Sequence, residues 1–252
     1  MQPEEYELMY RAEDAHFWYR ALRALQHRAM RRHVADAPVL LLDIGCGTGA
    51  SLEYLPDAVH GVGIDAAPEA LLWSGRRGLT RLARASAVEL PFPGEAFDCA
   101  LMMDVLYHRA VPDRAAALRE AGRVLRPGGT LLVNVPAYAW LYSSHDEAVH
   151  TGRRFTRREL LRLLRQSGFD VLECSYWNTL LFPGIALARL LRRGRRQRGS
   201  DLADTAPAGA GTVLPWVFCA ERFLMRFLPL PFGLSVFAVA RKPRTAMPGQ
   251  PE

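Results

Sequence analysis

A glycine at every second position directly after an apolar run is the feature that most constrains this chain. Val39-Leu40-Leu41-Leu42-Asp43-Ile44 leads into Gly45-Cys46-Gly47-Thr48-Gly49, and a helical pattern starts beyond it. The run predicts a buried parallel strand, a tight turn, and a helix whose N-terminus faces that turn. Glycines at 45, 47 and 49 let the backbone approach a ligand closely and take up positive φ where needed. Sixteen residues past Gly49 a second strand, Val59-His60-Gly61-Val62-Gly63-Ile64, ends in Asp65. A carboxylate at that strand end can accept both hydroxyls of a ribose. The first two strand ends are therefore equipped to hold a nucleoside.

The glycine spacing decides which nucleoside. A dinucleotide site uses G-x-G-x-x-G, with the pyrophosphate on the helix N-terminus. Here the spacing is G-x-G-x-G, and Asp43 stands before it, an anion where a pyrophosphate would meet repulsion. A carboxylate beside the turn suits a ligand with an ammonium or sulfonium group. A glycine-rich turn alone is also compatible with a purely structural βα turn. With Asp43 and Asp65 in place, the segment resembles the first motif of class I S-adenosylmethionine-dependent methyltransferases.

At 252 residues the chain can bury one large core. Half its residues are hydrophobic and 23% are charged, the composition of a globular protein. The net charge is +6, but Lys242 is the single lysine among 32 basic residues. That arginine bias, with abundant alanine, points to base composition as much as to an anionic partner, so charge is weak support for nucleic-acid binding. The four cysteines (46, 99, 174 and 219) lie far apart without a C-x-x-C, which indicates neither zinc nor a disulfide framework and fits a reducing cytoplasm. The acidic start Met1-Gln2-Pro3-Glu4-Glu5 lacks an apolar stretch, which predicts no signal peptide. No charge-free apolar run reaches the roughly 18 residues of a spanning helix.

Along the chain, residues 4–34 set aromatic and charged positions at helical spacing and predict one or two helices. Pro68 opens a helix through Trp73 that Gly75 ends, and a weak third strand lies near Thr80–Ala85. After the loop Glu89-Leu90-Pro91-Phe92-Pro93-Gly94, a fourth strand runs Phe97–Met103 and ends at Asp104. A helix over 112–126 stops on Arg126-Pro127-Gly128-Gly129, and the fifth strand follows from Thr130 to Val135. Thr156 as N-cap and Glu159 at N3 predict a helix to about Gln166, stopped by Gly168. Further strands are expected near Phe169–Tyr176 and Leu234–Ala240. Alternating strands and helices give a doubly wound, mostly parallel α/β sheet.

That order, with Leu90-Pro91-Phe92, Phe97-Asp98, Asp104-Val105-Leu106-Tyr107-His108 and Arg123-Val124-Leu125-Arg126-Pro127-Gly128-Gly129, closely resembles the type 11 group of small-molecule methyltransferases. The resemblance covers roughly 38–177 and returns at 232–242. It implies a seven-stranded Rossmann-like methyltransferase fold in one domain, 1–242, with a tail at 243–252 expected to be disordered. Within it, 1–36 are lid helices, 37–177 the cofactor-binding core, 178–232 a helical insert and 233–242 the last strand. It implies S-adenosyl-L-methionine as cofactor and no metal. Asp43, Gly45, Cys46, Gly47 and Gly49 would take its methionine end, Asp65 and Ala66 its ribose, Ser86 and Ala87 its adenine, and Asp104 the strand end beyond. Two positions depart from the pattern. Ser86 replaces the usual aspartate at the adenine, and Tyr107 replaces a polar residue before His108.

Methyl transfer from a sulfonium needs alignment and desolvation, and a base only for a hydroxyl or protonated amine. His108, Tyr142 and His145 are the catalytic candidates. For His108 a structural hydrogen bond to the loop is the competing role, and for His145, with Asp146 beside it, a helix-terminal one. Arg153, Arg154 and Arg157 either neutralise an acidic acceptor or form a solvated face, the second being favoured. Of the N-terminal aromatics, Phe17 and Trp18 are expected to pack, and Tyr10 or Tyr19 to face the pocket. The insert sets the apolar run Leu180–Ala188 beside Arg189, Arg192, Arg193, Arg195, Arg196 and Arg198. That pattern suits the interface of an anionic membrane, and equally a lid or a dimer surface. The expectation is thus a cytoplasmic methyltransferase, peripheral at the inner membrane face, acting on a small-molecule or lipid-like acceptor and not on nucleic acid. A cofactor-binding regulatory or scaffold protein without turnover is the rival.

Overall fold

Both faces of the first strand are apolar, and the architecture follows from covering both. The computed structural model describes residues 3–34, 38–191, 214–225 and 227–244. In β1 (Val39–Ile44), Leu42 and Ile44 join one core layer, while Val39 and Leu41 join the other. The first layer is closed by α5 (Arg114–Val124) through Ala117, Leu118 and Ala121, and by α7 (Arg157–Gln166) through Leu160 and Leu164. The second is closed by α2 (Phe17–His33) through Leu22, Leu25, Ala29 and Met30, with Phe218 of α9 (Leu214–Leu224) beside it. Each such leucine, fully buried, stabilises the fold by about 1.5–3 kcal/mol. By alternation Asp43 shares the side of Leu41, the side under α2.

Seven strands make one sheet. With β2 (Val59–Asp65), β3 (Leu82–Arg84), β4 (Phe97–Met103), β5 (Leu125–Pro136), β6 (Asp170–Trp177) and β7 (Ser235–Arg241), the order is β3-β2-β1-β4-β5-β7-β6. The pairs up to β4–β5 are parallel, and β7 is antiparallel to both β5 and β6. The order reverses between β1 and β4, which opens the crevice where ligands of such sheets sit. This is the doubly wound, mostly parallel sheet expected from the alternation of elements.

The remaining helices cover the strand ends. They are α1 (Pro3–Ala12), α3 (Ala50–Glu53), α4 (Pro68–Arg76), α6 (Ser144–Ala148) and α8 (Phe182–Leu191). The expected capping box of α7 is present: Glu159 N donates to Thr156 Oγ1 at 3.2 Å and Thr156 N to Glu159 Oε2 at 2.7 Å.

Several boundaries differ from expectation. The helix after the glycine turn is only the four residues of α3. Gly75 lies inside α4, which continues to Arg76. β5 begins at Leu125, paired with Phe97, and Pro127 to Gly129 form an irregularity within the strand rather than a break before it. Gly128, at φ +81°, makes that bulge and donates its N–H to Lys242 O. β6 and β7 each lie one residue later than expected. Arg192–Arg198 of the basic run, the linker to 213 and the tail from 245 lie outside the described residues.

Candidate functional site

At the carboxyl ends of β1, β4 and β5 the sheet opens into a cavity of about 290 Å³ roofed by α1, α2, α6 and α8. Asp43 forms its floor. The residue is 2% exposed, and its Oδ1 has no hydrogen-bond partner. Burial, with the charges of Asp65 and Glu13, pushes its carboxyl up to about 7. A buried carboxylate without a partner is costly until a cation or donor reaches it. Among the described residues lining the cavity, Glu5 Oε2, His16 Nε2 and Asn178 Oδ1 are likewise buried without a hydrogen-bond partner. His16 Nδ1 accepts from Trp18 N at 3.3 Å, so in the neutral ring Nε2 carries the proton. Burial keeps that ring neutral by lowering its pKa.

The turn above Asp43 is held tightly. Gly45 N and Cys46 N donate to Ile64 O at 2.8 and 2.9 Å, and Gly47 N donates to Asp65 Oδ2 at 3.1 Å. Gly45 sits at φ +76°, and a Cβ there would stand 2.5 Å from Val105 Cγ2. Glycine is thus required by backbone and space together. Asp65 also accepts from Ala67 N at 2.9 Å and is pushed up by burial. Helix α1 lies over this end: Met9 Cε is 3.1 Å from where a Gly47 Cβ would be, and Glu13 accepts from the Thr48 hydroxyl. Ala66, exposed, accepts from Arg84 Nε through its carbonyl, and Ser86 Oγ accepts from Val88 N at 3.3 Å. Asp65, Ala66, Ser86 and Ala87 therefore line the neighbouring ends of β2 and β3, while the cavity takes Asp43, Gly45, Cys46, Gly47 and Asp104.

Asp104 follows β4 with φ +58°, unusual for a residue other than glycine. Its two oxygens accept from Asn134 Nδ2 at 3.0 and 3.1 Å, and Asn134 Oδ1 accepts from Trp177 Nε1 at 2.7 Å. Burial raises the Asp104 carboxyl to about 7, with Asn134 and Arg154 opposing it.

Of the three catalytic candidates, the fold brings His145 to the cavity wall. His108 and Tyr142 are not among the lining residues. His108 Nδ1 accepts from Ala110 N at 3.1 Å, and burial, aided by His150 and Arg109, lowers its pKa to about 4. Tyr142 is exposed, and its hydroxyl accepts from Arg109 Nη2 at 3.2 Å. Asp146, next to His145, is buried and accepts from Arg154 Nε and Nη2 at 2.8 and 3.0 Å. This also corrects the reading of Arg154 as part of a solvated face, because an ion-pair partner eight residues away draws it inside. Arg153 does stay on the surface, against Glu159. Tyr19 faces the cavity, but so do Phe17 and Trp18, each with one face stacked on Phe218 or Trp177. Tyr10 turns away onto Trp73. Glu5, Glu13, His16 and Asn178 also line the cavity, and no local sequence pattern marks them, because tertiary packing alone brings them to the strand ends.

The cavity suits a cation. Glu5, Glu13, Asp43 and Asp104 bring carboxylates to one space, and the bare glycine turn admits a backbone-hugging nucleoside beside it. A sulfonium nucleoside with an ammonium tail meets both demands.

Comparison with known proteins gives a consistent result. A family model described as a methyltransferase domain matches residues 42–133. A probable S-adenosylmethionine-dependent methyltransferase of Mycolicibacterium smegmatis is 29% identical over 214 residues, covering 81% of this chain and 76% of that protein. An O-methyltransferase of Aspergillus sclerotiorum is 34% identical over 150 residues, and the match spans 53% of this chain and about half, 55%, of the relative. Among solved structures, the [4+2]-cyclase SpnF superposes with a TM-score of 0.58 at 28% identity, covering 90% of this chain and 83% of that one.

Proposed function

We propose that this chain is a class I S-adenosylmethionine-dependent methyltransferase and that it methylates a small-molecule or lipid-like acceptor in the cavity under α1, α2 and α8. The observation that carries the reading is the unpartnered Oδ1 of buried Asp43 beside a turn of bare glycines. Bound S-adenosylmethionine supplies a methyl already activated on a sulfonium. Asp43 would receive its cationic methionine end, and Gly45, Cys46 and Gly47 would let that end approach the backbone, while Gly49, packed against Leu79 and Ser74, would only shape the turn. Asp65, with Ala66 beside it, takes the ribose hydroxyls, and Ser86 and Ala87 border the adenine. The cation neutralises Asp43, and the roof of α1 and α2 excludes water from the reacting atoms.

The acceptor sits against Phe17, Trp18, Leu22, Met103 and Ile185, an apolar wall that favours an aromatic or aliphatic body. A duplex nucleic acid does not fit a roofed space of this size. Exposed Leu180, Leu187, Phe227 and Leu228 near the same insert support reaching the acceptor from an anionic membrane surface.

Calorimetric titration with S-adenosylmethionine, S-adenosylhomocysteine and NAD tests the cofactor, with selective NAD binding as the contrary result. Release of S-adenosylhomocysteine against a panel of phenols, amines, lipids and tRNA tests the acceptor. Turnover with tRNA alone would overturn the small-molecule reading. Binding without release across the panel would favour a regulatory protein.

A further inference from the structure

We propose that Trp177 and Asn134 are positioning residues that present Asp104 to the cavity as the group receiving the acceptor's proton. The proposal rests on the methyltransferase reading above. It starts from a constraint of chemistry. An indole N–H can only donate, so the 2.7 Å contact from Trp177 Nε1 fixes which end of the Asn134 amide is oxygen. The Nδ2 end must then face β4, where it donates to both Asp104 oxygens at 3.0 and 3.1 Å. Asp104 N donates to Asn134 O at 3.0 Å, so backbone and side chain are clamped to one residue.

The clamp holds a conformation that the residue would not choose. Asp104 is at φ +58° directly after β4, and such strain in a non-glycine residue collects at functional sites. Asp104 lines the cavity, and the Asn134 amide leaves further acceptor positions on both of its oxygens. Of the groups around it, Arg154 before α7 favours the ionised form, while Tyr19 of α2 and Tyr107 beside it are neutral phenols that feel its charge. Burial leaves the balance near neutrality, at about 7, where a carboxylate both takes and returns a proton. In the transfer, the acceptor's heteroatom forms the bond to the methyl carbon while the carbon–sulfur bond breaks and leaves its electron pair on sulfur. The heteroatom's proton passes to Asp104 and then to solvent.

The test uses the full chain saturated with S-adenosylhomocysteine, with saturation established by calorimetry, and follows the Asp104 carboxyl by carbon NMR against pH. Failure of that ligand to bind would count against the cofactor reading alone. The expected midpoint lies near 7 in the unmodified protein. Trp177→Phe keeps the ring and its stacking on Trp18 but frees the amide to turn its oxygen toward Asp104, raising the midpoint by about one pH unit, tenfold in proton affinity. Asn134→Asp, nearly isosteric, adds a like charge and raises it further. His145→Ala leaves it in place. A midpoint below pH 5, or one indifferent to Trp177→Phe and Asn134→Asp, overturns the proposal.

Discussion

Arg77 Nη2 donates to Glu13 Oε2 at 3.1 Å, and through that contact helix α1 is fastened to the glycine turn. The arginine side chain is 2% exposed. It also donates from Nε to Thr48 O at 3.0 Å and from Nη2 to Tyr10 O at 3.2 Å, and it lies 4.5 Å from the Tyr10 ring centre. Glu13 in turn accepts from the Thr48 hydroxyl. One guanidinium thus ties the end of α1 to the loop that the nucleoside must approach.

Arg77→Ala strands Glu13 in a buried site without its counter-charge. Breaking a buried pair by removing one partner costs about 3–5 kcal/mol. The variant should lose stability of that order in urea denaturation and release S-adenosylhomocysteine faster in stopped-flow measurement. Arg77→Lys should recover only part of the loss, since an ammonium cannot reproduce the planar fork. Unchanged release from Arg77→Ala would mean that α1 does not gate the site.

Asp65→Ala should weaken S-adenosylhomocysteine binding by about 1.5–3 kcal/mol, read by calorimetry, because charge-assisted bonds to the ribose are lost. Asp65 also receives Gly47 N and Ala67 N, so part of the effect will come from a loosened turn. Thermal denaturation of the ligand-free variant separates the two, and an affinity equal to that of the unmodified protein would reject Asp65 as the ribose anchor.

Protons should leave when the cofactor arrives. Burial raises Asp43 and Glu13 to about 7 each in the empty protein. Both values lie above those of an unfolded chain, so the folded state holds more protons between about pH 4 and 7. The stability contributed by these two carboxyls in the empty protein should therefore be fully present below that window and lost as pH rises through 7. A cationic ligand favours ionised Asp43, so S-adenosylmethionine should bind more weakly as pH falls below about 7. At pH 6, calorimetry in buffers of different ionisation enthalpy should show proton release, absent in Asp43→Asn. Proton uptake would contradict the placement of the sulfonium nucleoside over Asp43.

Much of this site was legible in order along the chain. The strand, turn and acid at 39–49, the acid at 65 and the Thr156–Glu159 capping box are local patterns whose chemistry lies within a few residues. Alternation gave the parallel, doubly wound part of the sheet, whereas its seven strands were expected from the family resemblance and the antiparallel β7 has no local mark. The partners of Asp146 and Glu13 were not legible, because each is set by tertiary packing: Arg154 reaches Asp146 across the α6 loop, and Arg77 reaches Glu13 from 64 residues away. For the same reason adjacency to His145 did not reveal that the Asp146 carboxylate is held by Arg154. Trp177 and Asn134 are 43 residues apart and lie on strands separated by β7, so their contact becomes visible only once the strand order is known.

Among the described residues no helix is long and apolar enough to cross a membrane. Yet Leu187, Phe227 and Leu228 stand 58%, 69% and 70% exposed, and the sequence between α8 and α9 carries Arg192, Arg193, Arg195, Arg196 and Arg198. Shallow insertion of apolar side chains combined with roughly 1 kcal/mol per arginine near an anionic surface gives reversible attachment that salt screens. The protein should co-sediment with phosphatidylserine-rich vesicles at low salt, dissociate at high salt, and ignore neutral vesicles. Phe227→Ser with Leu228→Ser should reduce the bound fraction several-fold without altering S-adenosylhomocysteine affinity, since neither residue lines the cavity. No sedimentation in any condition, with light scattering reporting a dimer that the same double substitution dissociates, would assign this surface to a second copy of the chain and remove the membrane as the route to the acceptor.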